Sequence, residues 1–526
     1  MLKIKKLINK YKIDYIILFI IMSIYYGHIQ WNNFIGDPDG FYHAKLAKWL
    51  AEGKLIEKLP WMQFSSLRDS FTDHHLLYHL LLAPFVSFFN PLVGVKIATV
   101  VFAVAMILTF YWFLKKFNIP WPFIFASSFL ILNGLNFRVS LVKANSLSIL
   151  VIYLIVYALF KQKYILSTLF AAIFVWLYGG WPLAILILLV YILSYYIYKK
   201  INSNKLKIFL HQSIELISPF KRQHRIIKIS LYLLSGLAIA LIVNPYWPQN
   251  IYFYYQQFLQ IGVVNMGSQF TVGSEWYGAG IKQIISSSPH IFIAGIIAFV
   301  ILFFNIKKAS QLTWFSFLMA FGFLILTVKS KRYVEYYMPF TLLFIASASK
   351  DIKNFTDWSK YLKLWYSLSK KIQACLMISS LMLLIMIMLF TYDRMLNVHL
   401  SGHYNYNTFK RASQWLNDNT DKNSIVFHSD WDEWPILFYQ NDHNYYIIGL
   451  DPTFMENYDP NLHKLYRDIT RGDISYNISN YIKNDFKADY IFVDRDGHDE
   501  FIKNIILDKN IEQVYQDDEA IIYKII

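Results

Sequence analysis

The sequence has a single cysteine, Cys375, which lies within an apolar run. An intramolecular disulfide is therefore excluded, and so is a metal site built on several cysteines. Carboxylates are scarce over most of the chain, because residues 1–392 contain only 12 Asp and Glu beside 37 Lys and Arg. Residues 393–526 reverse this balance, with 23 Asp and Glu and 13 Lys and Arg. We predict a domain boundary near residue 393, where the last long apolar run also ends.

Apolar and aromatic side chains make up most of what is present. The mean hydropathy is +0.33, and 56% of the residues are hydrophobic and 18% aromatic. These values indicate a multi-pass α-helical membrane protein, in which each span needs about 20 apolar residues. Eleven segments have a suitable length and composition: 14–30, 96–114, 120–136, 140–160, 164–180, 182–198, 229–246, 289–306, 311–328, 334–349 and 372–391.

The basic residues lie mainly in short loops between these segments, where they set the orientation in the membrane. The net charge of +15 therefore does not imply a nucleic-acid partner. Segment 76–92 is also apolar, but counting it as a span contradicts the charge-based topology, so we predict an interfacial or re-entrant helix there. The result is eleven spans, or thirteen if a long segment is split, with the C-terminus outside the cytoplasm.

The N-terminal residues 1–12 contain five lysines, and no small-residue cleavage site follows them. We expect an uncleaved anchor whose basic end is cytoplasmic, in the plasma membrane of a prokaryote. The transmembrane domain, 1–392, then exposes two large external loops, 31–95 with its interfacial helices and 247–288. The external soluble domain, 393–526, has an α/β pattern. Its predicted elements are a helix at 406–416, strands at 424–427, 445–450 and 490–494, and a strand pair within 512–525.

The start of the first external loop, residues 36–45, contains two carboxylates, Asp37 and Asp39, separated by one proline. Charged groups beside a bilayer are costly unless they pair or serve a function. The structural alternative is that Asp39 caps a helix at 40–49. Further along, Asp73, His74 and His75 precede segment 76–92 and could coordinate a divalent ion or position a phosphate, although Asp73 could equally be a helix cap.

The second external loop has one carboxylate, Glu275, and Arg332 begins a later span at its outer end. A cation there runs against the charge bias, and a guanidinium suits a phosphate or pyrophosphate. The alternatives are a solvated acid for Glu275 and a lipid headgroup contact for Arg332.

A third candidate is the acidic, indole-rich loop of the C-terminal domain, which follows a predicted strand. Indole faces stack on sugars or peptides while carboxylates accept hydrogen bonds, so the loop suits a glycan or peptide acceptor. The alternative is an acidic turn with a buried tryptophan. Its residues are Asp430, Trp431, Asp432, Glu433 and Trp434.

The motifs follow one another along the chain as first-loop acids, a late-loop glutamate, an arginine at a later span and a Trp-Asp loop. This order resembles that of the catalytic subunit of oligosaccharyltransferase, a GT-C membrane glycosyltransferase. Asp39-Gly40-Phe41-Tyr42 resembles the first-loop motif of that family, and Gly273-Ser274-Glu275 resembles its late-loop motif. Arg332-Tyr333 is similar to its lipid-pyrophosphate arginine. The stretch 430–434 stands where the family has Trp-Trp-Asp-Tyr-Gly, and 176–181 resembles a Trp/Gly-Gly element.

The resemblance implies roles for these residues. Asp39 and Glu275 would be catalytic and would hold Mg²⁺ or Mn²⁺ with Asp37. The sequence departs from the family at a second acidic motif, where Lys143 and Asn145 replace acids. Asp73 or His74 would then supply the missing ligand. The remaining roles would be donor-phosphate binding by Arg332, Lys143 and Arg138, and acceptor binding by Trp431, Asp432, Asp430, Glu433 and Trp434.

The implied reaction moves a sugar or oligosaccharide from a polyprenyl-(pyro)phosphate donor to an acceptor on the outer membrane face, with protein asparagine as one candidate acceptor. The alternative is a GT-C transferase that uses a polyprenyl-monophosphate sugar to modify a lipid or glycan. A transporter or non-catalytic receptor is a third possibility. Transporters place ionisable groups near mid-bilayer, whereas the acids here cluster at one face.

Overall fold

The computed structural model describes residues 12–209, 219–264, 267, 269–401 and 404–526, so most of the predicted basic N-terminal segment lies outside the described residues. The first half is helical apart from one short strand, β1 (Phe34–Ile35). Its helices are α1 (Ile13–Gln30), α2 (Asp39–Ala51), α3 (Leu76–Phe88), α4 (Pro91–Lys116), α5 (Pro122–Ser127), α6 (Asn133–Ser140), α7 (Asn145–Phe160) and α8 (Tyr164–Leu177).

The helical region continues to residue 401. Its helices are α9 (Leu183–Phe209), α10 (Pro219–Ile242), α11 (Gln249–Tyr254), α12 (Ile281–Ser287), α13 (Pro289–Phe303), α14 (Gln311–Lys329), α15 (Val334–Phe355), α16 (Trp358–Ser367) and α17 (Lys370–Ser401). A π-helical segment, Tyr255–Val264, extends α11. Short 3₁₀ turns occupy Ser128–Ile131, Ser274–Trp276, Ile306–Lys308 and Lys331–Tyr333.

The chain is an integral, multi-pass membrane protein, as predicted. Among the described residues, six helices are long and apolar enough to cross a membrane, or eight if two bent pairs each form one span. The first pair, α5 with its 3₁₀ turn and then α6, is bent by 77°. The second pair, α12 and α13, is bent by 100°. Every segment predicted to span contains a helix, but the predicted number of eleven exceeds the six to eight that meet both criteria.

Three predicted segments need correction. Segment 120–136 is broken by the 77° bend at Leu132. The helix within 140–160 begins only at Asn145, and the helix within 164–180 ends at Leu177, before two glycines and a proline. Segment 76–92 is the short helix α3, whose place relative to a membrane stays a prediction.

The C-terminal region has the predicted α/β architecture. Strands β2 (Tyr404–Asn405), β3 (Ile425–His428), β4 (Tyr445–Tyr446), β5 (Ala488–Asp494), β6 (Ile511–Gln516) and β7 (Ala520–Ile525) alternate with helices α18 (Lys410–Asn419), α19 (Trp434–Gln440), α20 (Thr453–Glu456), α21 (Pro460–Thr470), α22 (Ile478–Asn484) and α23 (Asp499–Leu507). The five-stranded sheet has the order β4-β3-β5-β7-β6. Its first three strands are parallel, and β7 and β6 are antiparallel. The predicted strand at 445–450 is only two residues long, and the predicted helix at 406–416 begins at Lys410.

The segment between α1 and α3 joins the C-terminal domain through hydrogen bonds of its backbone. Strand β1 pairs antiparallel with β2, and the loop residue Gln63 donates its N–H to the carbonyl of Tyr446 at 2.8 Å. The indole of Trp434 donates to the carbonyl of Trp61 at 2.8 Å. These bonds fix the C-terminal domain over the loop that contains Asp37 and Asp39. The domain boundary near residue 393, which lies inside α17, stays a prediction.

Candidate active site

Charged side chains distant in sequence meet beneath the C-terminal domain. Lys143 Nζ lies 3.0 Å from Asp37 Oδ2, 2.9 Å from Asp39 Oδ2 and 3.9 Å from Glu275 Oε2. The three carboxylates come from two segments far apart in the chain, and the ammonium group stands between them. We call the whole set the charged cluster: Asp37, Asp39, Arg138, Lys143, Glu275, Arg332 and Glu335.

Two arginines complete the cluster around Glu275. Arg138 Nη1 lies 2.5 Å from Glu275 Oε2, and Arg332 Nη1 lies 3.2 Å from Glu275 Oε1. Arg138 also pairs with Glu335 at 3.0 Å. Arg332 donates from Nη2 to the hydroxyl of Tyr178 at 3.0 Å. Arg138 and Glu335 are buried, with 6% and 0% side-chain exposure, so Arg138 mainly holds two carboxylates, while the more exposed Arg332 faces open space.

The start of α2 positions the two aspartates. Asp37 Oδ1 accepts the backbone N–H of Asp39 at 3.0 Å. The predicted cap role of Asp39 is wrong, because Asp39 is the first residue of the helix and makes no capping bond. Gly40 permits a close approach, since a Cβ there would lie 2.6 Å from Ile35 Cγ2 and 3.3 Å from Val142 Cβ. This contact brings the start of α2 beside the segment that carries Lys143.

A buried lysine anchors the chain just before these aspartates. Lys96, on α4, is only 3% exposed. Its ammonium group donates to the carbonyl and side-chain oxygens of Asn32, both at 2.7 Å, and to the carbonyl of Phe34 at 2.8 Å. The lysine thereby satisfies loop oxygens that would otherwise be buried without partners, and it fixes the backbone that leads into β1.

The turn that carries Glu275 is bonded to the turn that carries Arg332. Ser330 Oγ donates to the carbonyl of Glu275 at 2.8 Å, and the N–H of Lys331 donates to the carbonyl of Tyr277 at 2.9 Å. The Arg332 guanidinium lies 4.8 Å from the ring centre of Trp276, a cation–π distance. The relative position of Glu275 and Arg332 is therefore set by backbone as well as by charge.

The environment shifts the pKa values of the cluster. Burial opposes ionisation of Glu275, but Lys143, Arg138 and Arg332 hold its pKa well below the usual range. Burial would also discharge Lys143, yet Asp37, Asp39 and Glu275 raise its pKa. Burial raises the pKa of Asp37 to about 6, against the attraction of Lys143. At neutral pH, Glu275 is thus an anion and Lys143 a cation, and Asp37 can take up a proton just below neutrality.

Two cavities meet at the charged cluster. The larger has a volume of about 540 Å³ and the smaller about 100 Å³. Both are lined by Asp39, Lys143, Glu275 and Arg332. The larger cavity is also lined by Asp37, Gly134, Phe137, Arg138, Leu141, Tyr404, Trp431 and Asp432. The smaller cavity is also lined by His43, His74, His75, Tyr178 and Asp451.

Two further residues predicted to bind a metal ion, Asp73 and His74, make side-chain contacts with residues other than the three carboxylates. Asp73 Oδ1 accepts the backbone N–H of His75 at 2.9 Å, and Asp73 Oδ2 lies 2.7 Å from His79 Nδ1. His79 Nε2 in turn lies 2.7 Å from His43 Nδ1. His74 lines the smaller cavity and stacks on Phe253. Asp73 thus orients a histidine chain instead of joining Asp39 and Glu275.

The series of hydrogen bonds that starts at Asp73 determines the tautomers of His79 and His43. The Asp73 carboxylate accepts the proton on His79 Nδ1, so Nε2 of a neutral His79 accepts the N–H on His43 Nδ1. Nε2 of His43 then remains a hydrogen-bond acceptor. Burial and the neighbouring His79 lower the pKa of His43 well below its usual value, which keeps this imidazole neutral beside the smaller cavity.

The predicted divalent ion does not fit the charged cluster in this arrangement. Mg²⁺ and Mn²⁺ need several oxygen ligands, but the ammonium group of Lys143 stands between the carboxylates that would provide them. Among the described residues, no group of three or more His, Cys, Asp or Glu side chains is arranged to hold a metal ion.

The predicted acceptor loop is divided between the cavity and the protein core. Trp431 and Asp432 line the larger cavity. Glu433 and Trp434 are 4% and 0% exposed; Glu433 accepts a hydrogen bond from Ser429 Oγ, and Trp434 packs on Phe438. Asp430 accepts the backbone N–H of Trp431 at 2.7 Å and lines a neighbouring cavity. Only the first half of the motif therefore faces open space.

Sequence reasoning missed several residues of the site. Two of them could have been found from the sequence. Tyr178 lies in the Trp/Gly-Gly element, and Glu335 is a carboxylate inside an apolar segment. Asp451 follows β4 in the C-terminal domain, lines both cavities and is 7% exposed, and burial raises its pKa to about 6. Nothing local in the sequence distinguishes it from other acids of the domain.

The chain shares its fold, a helical membrane domain joined to a small α/β domain, with solved structures of two membrane glycosyltransferases. Among solved structures, the chain is similar to the oligosaccharyltransferase AglB from Archaeoglobus fulgidus in complex with an inhibitory peptide and a dolichol-phosphate. The TM-score is 0.64 at 12% identity, over 93% of this chain and 70% of that one. It is also similar to ArnT from Cupriavidus metallidurans bound to undecaprenyl phosphate, with a TM-score of 0.54 at 9% identity over 97% of both chains. Neither a family model nor a curated protein matches the sequence significantly.

Proposed function

We propose that this chain is a membrane glycosyltransferase that transfers a sugar or oligosaccharide from a polyprenyl-(pyro)phosphate donor to an acceptor outside the cytoplasm. The observation that carries the proposal is the charged cluster between two cavities, with Asp39, Glu275 and Arg332 reaching both. Transfer of a group between two substrates requires that their two binding cavities meet at the residues that act on both. The fold supports the same conclusion, since AglB and ArnT are each described with a polyprenyl phosphate bound.

We assign the donor phosphate to the smaller cavity. Arg332 donates to the hydroxyl of Tyr178 at 3.0 Å there, and that hydroxyl donates to Glu335 Oε1 at 3.4 Å. Tyr178 therefore orients the guanidinium, whose remaining N–H groups can meet a phosphate. A guanidinium binds phosphate oxygens through parallel N–H groups and stays charged throughout. Arg332 also keeps 19% of its side chain exposed, against 6% for Arg138. Arg332 is therefore the phosphate ligand, and Arg138 is a positioning residue for Glu275.

We assign the acceptor to the larger cavity. Trp431 offers an indole face and Asp432 a carboxylate, which together suit a sugar or a peptide backbone. The cavity volume of about 540 Å³ is within the range of ligand pockets. The acceptor's nucleophile would then approach the donor across Asp39 and Glu275.

The proposed reaction exchanges one bond at the anomeric carbon for another and moves one proton. The acceptor's nucleophilic atom attacks the anomeric carbon of the donor sugar, and Asp39 takes its proton. The bond between the anomeric carbon and the phosphate oxygen breaks, and the electron pair leaves with the phosphate. Arg332, oriented by the hydroxyl of Tyr178, stabilises the charge that develops on the leaving oxygen. Glu275, anionic and held by Arg138, stabilises positive charge on the sugar ring.

A second candidate is transfer from a polyprenyl-monophosphate sugar to a lipid or glycan. It is favoured by the likeness to ArnT, which covers 97% of both chains. The products separate the two candidates. Mass spectrometry of the released carrier identifies undecaprenyl phosphate or diphosphate, and the labelled acceptor is either peptide or lipid.

Asp39→Asn and Glu275→Gln test the proposal. We would incubate purified protein in nanodiscs with undecaprenyl-(pyro)phosphate-linked radiolabelled sugars and a panel of peptide, lipid and glycan acceptors. Loss of a general base costs about 10²- to 10⁴-fold in rate. The control is Asp69→Asn, which changes a carboxylate of the same loop that is 67% exposed and paired with Arg68. Full activity of both cluster variants would contradict the proposal.

The orientation belongs to the same proposal. The basic loops support a cytoplasmic face opposite the C-terminal domain, in the plasma membrane of a prokaryote. A cysteine introduced at Tyr476, which is 72% exposed in that domain, reports the orientation in intact cells. We expect labelling by a membrane-impermeant maleimide once Cys375 is replaced by serine. Labelling only after the membrane is opened would reverse the orientation.

A further inference from the structure

We propose that the ammonium group of Lys143 takes the place of a divalent cation in this site, so that the transfer needs no metal ion bound to Asp39 and Glu275. The inference rests on the proposed function, because it concerns how that reaction is assisted. It is carried by the geometry of one lysine and three carboxylates.

The first argument is position. Nζ of Lys143 lies within 3.0 Å of one oxygen each of Asp37 and Asp39, and 3.9 Å from Glu275. An ion that bridged the two loops through these oxygens would occupy the same space. An ammonium group has three N–H donors, and the two aspartates account for two of them. The third can serve an oxygen of the donor, which is a role that a bridging ion would otherwise have.

The second argument is charge. The cluster has four carboxylates and three fixed cations, so its total charge is already close to balance. Glu275 alone contacts two arginines and faces Lys143. A divalent ion added to this set would meet three neighbouring positive groups, which would repel it. Electrostatic stabilisation of the leaving phosphate is available instead from Lys143 and Arg332 together.

The third argument is that the fold holds Lys143 in place. Its side chain is 12% exposed. The preceding residue, Val142, is 4% exposed and packs where Gly40 lets α2 approach. The lysine backbone is thus fixed next to the helix that begins at Asp39. Movement of the side chain away from this position would break its ion pairs with both Asp37 and Asp39.

Manganese binding tests the proposal independently of turnover. The probe is Mn²⁺ alone, followed by electron paramagnetic resonance on the purified full-length chain. We expect no Mn²⁺ site in the wild type that depends on Asp39. The variant Lys143→Asp should create a site, seen as an affinity for Mn²⁺ raised by about tenfold or more. The double variant Lys143→Asp/Asp39→Asn should lose it.

Activity provides a second readout. We expect wild-type transfer to be unchanged after dialysis against EDTA, and Lys143→Asp to be inactive in EDTA and to regain activity with Mn²⁺. Lys143→Arg, which keeps a cation, should stay independent of Mn²⁺. Size-exclusion chromatography and the unfolding temperature establish that each variant is folded. A folded Lys143→Asp variant that binds no Mn²⁺ would overturn the proposal.

The outcomes distinguish this inference from the proposed function. A wild-type Mn²⁺ site that disappears in Asp39→Asn, or wild-type activity that EDTA abolishes and Mn²⁺ restores, overturns the role of Lys143 and leaves glycosyl transfer standing. Absence of transfer from every polyprenyl-linked donor contradicts the proposed function, whereas the binding measurements on Lys143→Asp still decide whether the ammonium group occupies a cation site.

Discussion

Replacing Arg138 with methionine should destabilise the protein strongly, because the arginine neutralises two buried carboxylates. Arg138 is 6% exposed, Glu335 is 0% exposed, and the two groups lie 3.0 Å apart. Removal of one partner from a buried ion pair typically costs about 3–5 kcal/mol, since the other charge is left without compensation. Glu275 would lose one partner as well, but it retains Arg332. We therefore expect the loss in Arg138→Met to come mainly from Glu335.

A double-mutant cycle measures this coupling. In Arg138→Met/Glu335→Gln both buried charges are gone, so the combined loss should be smaller than the sum of the single losses, by about 0.5–3 kcal/mol. Unfolding in mixed micelles can be followed by the fluorescence of the 15 tryptophans. Arg68→Met is the control, because Arg68 pairs with the exposed Asp69 and should contribute only about 0–1 kcal/mol.

The competing interpretation of Arg138 is the one that the sequence favoured, a ligand for the donor phosphate. On that interpretation Arg138→Met would weaken binding of undecaprenyl phosphate and leave the unfolding free energy unchanged. Wild-type stability of Arg138→Met would therefore refute the structural reasoning about the pair.

Further predictions concern the supports of the site. Gly40→Val should lower stability by about 1–3 kcal/mol and reduce transfer, because its side chain would collide with Ile35 and Val142; unfolding and activity assays measure both. Lys96→Met should cost about 1–3 kcal/mol by orphaning buried loop oxygens, which the same unfolding assay detects. Burial raises the pKa of Glu433 to about 8, from an ordinary value of 4.5. The free energy of unfolding should therefore fall as pH rises from 4.5 to 8, because the unfolded chain loses this proton first. The slope from this one group is at most about 1.4 kcal/mol per pH unit. Glu433→Gln should flatten this part of a profile of unfolding against pH.

Much of the site was predictable because its parts are marked locally. Asp39, Glu275 and Arg332 each stand out in a segment with few charges, and their order along the chain matched a known pattern. The structure brings Glu275 into contact with Arg332 and places both beside the lysine that binds Asp39. The replacement of an acid by Lys143 was also visible in the sequence.

The differences between the sequence-based expectations and the observed contacts have a common physical cause. Asp73 was proposed as a metal ligand because it is an acid next to histidines, but its partner is His79, which lies one helical turn beyond His75 and was not considered. Arg138 was expected to bind phosphate, and its pairing with Glu335 could not be foreseen because that residue lies 197 positions further along the chain. In the same way, hydropathy reports composition, and it could not reveal that segment 120–136 bends by 77°. Local patterns identify chemical groups, whereas tertiary contacts decide which groups remain available.

Asp37 provides a test of how the cluster responds to a donor. Burial raises its pKa to about 6, and its carboxylate competes for Lys143 with any phosphate that binds. Protonation of Asp37 releases part of the ammonium charge, so we expect binding of undecaprenyl phosphate to tighten as pH falls through about 6. Binding should therefore take up a proton, measurable by calorimetry in buffers of different ionisation enthalpy. Asp37→Asn should remove the part of this dependence that does not come from the phosphate's own ionisation. If the variant and wild type show the same pH profile, Asp37 does not compete for Lys143, and the lysine serves the donor independently of it.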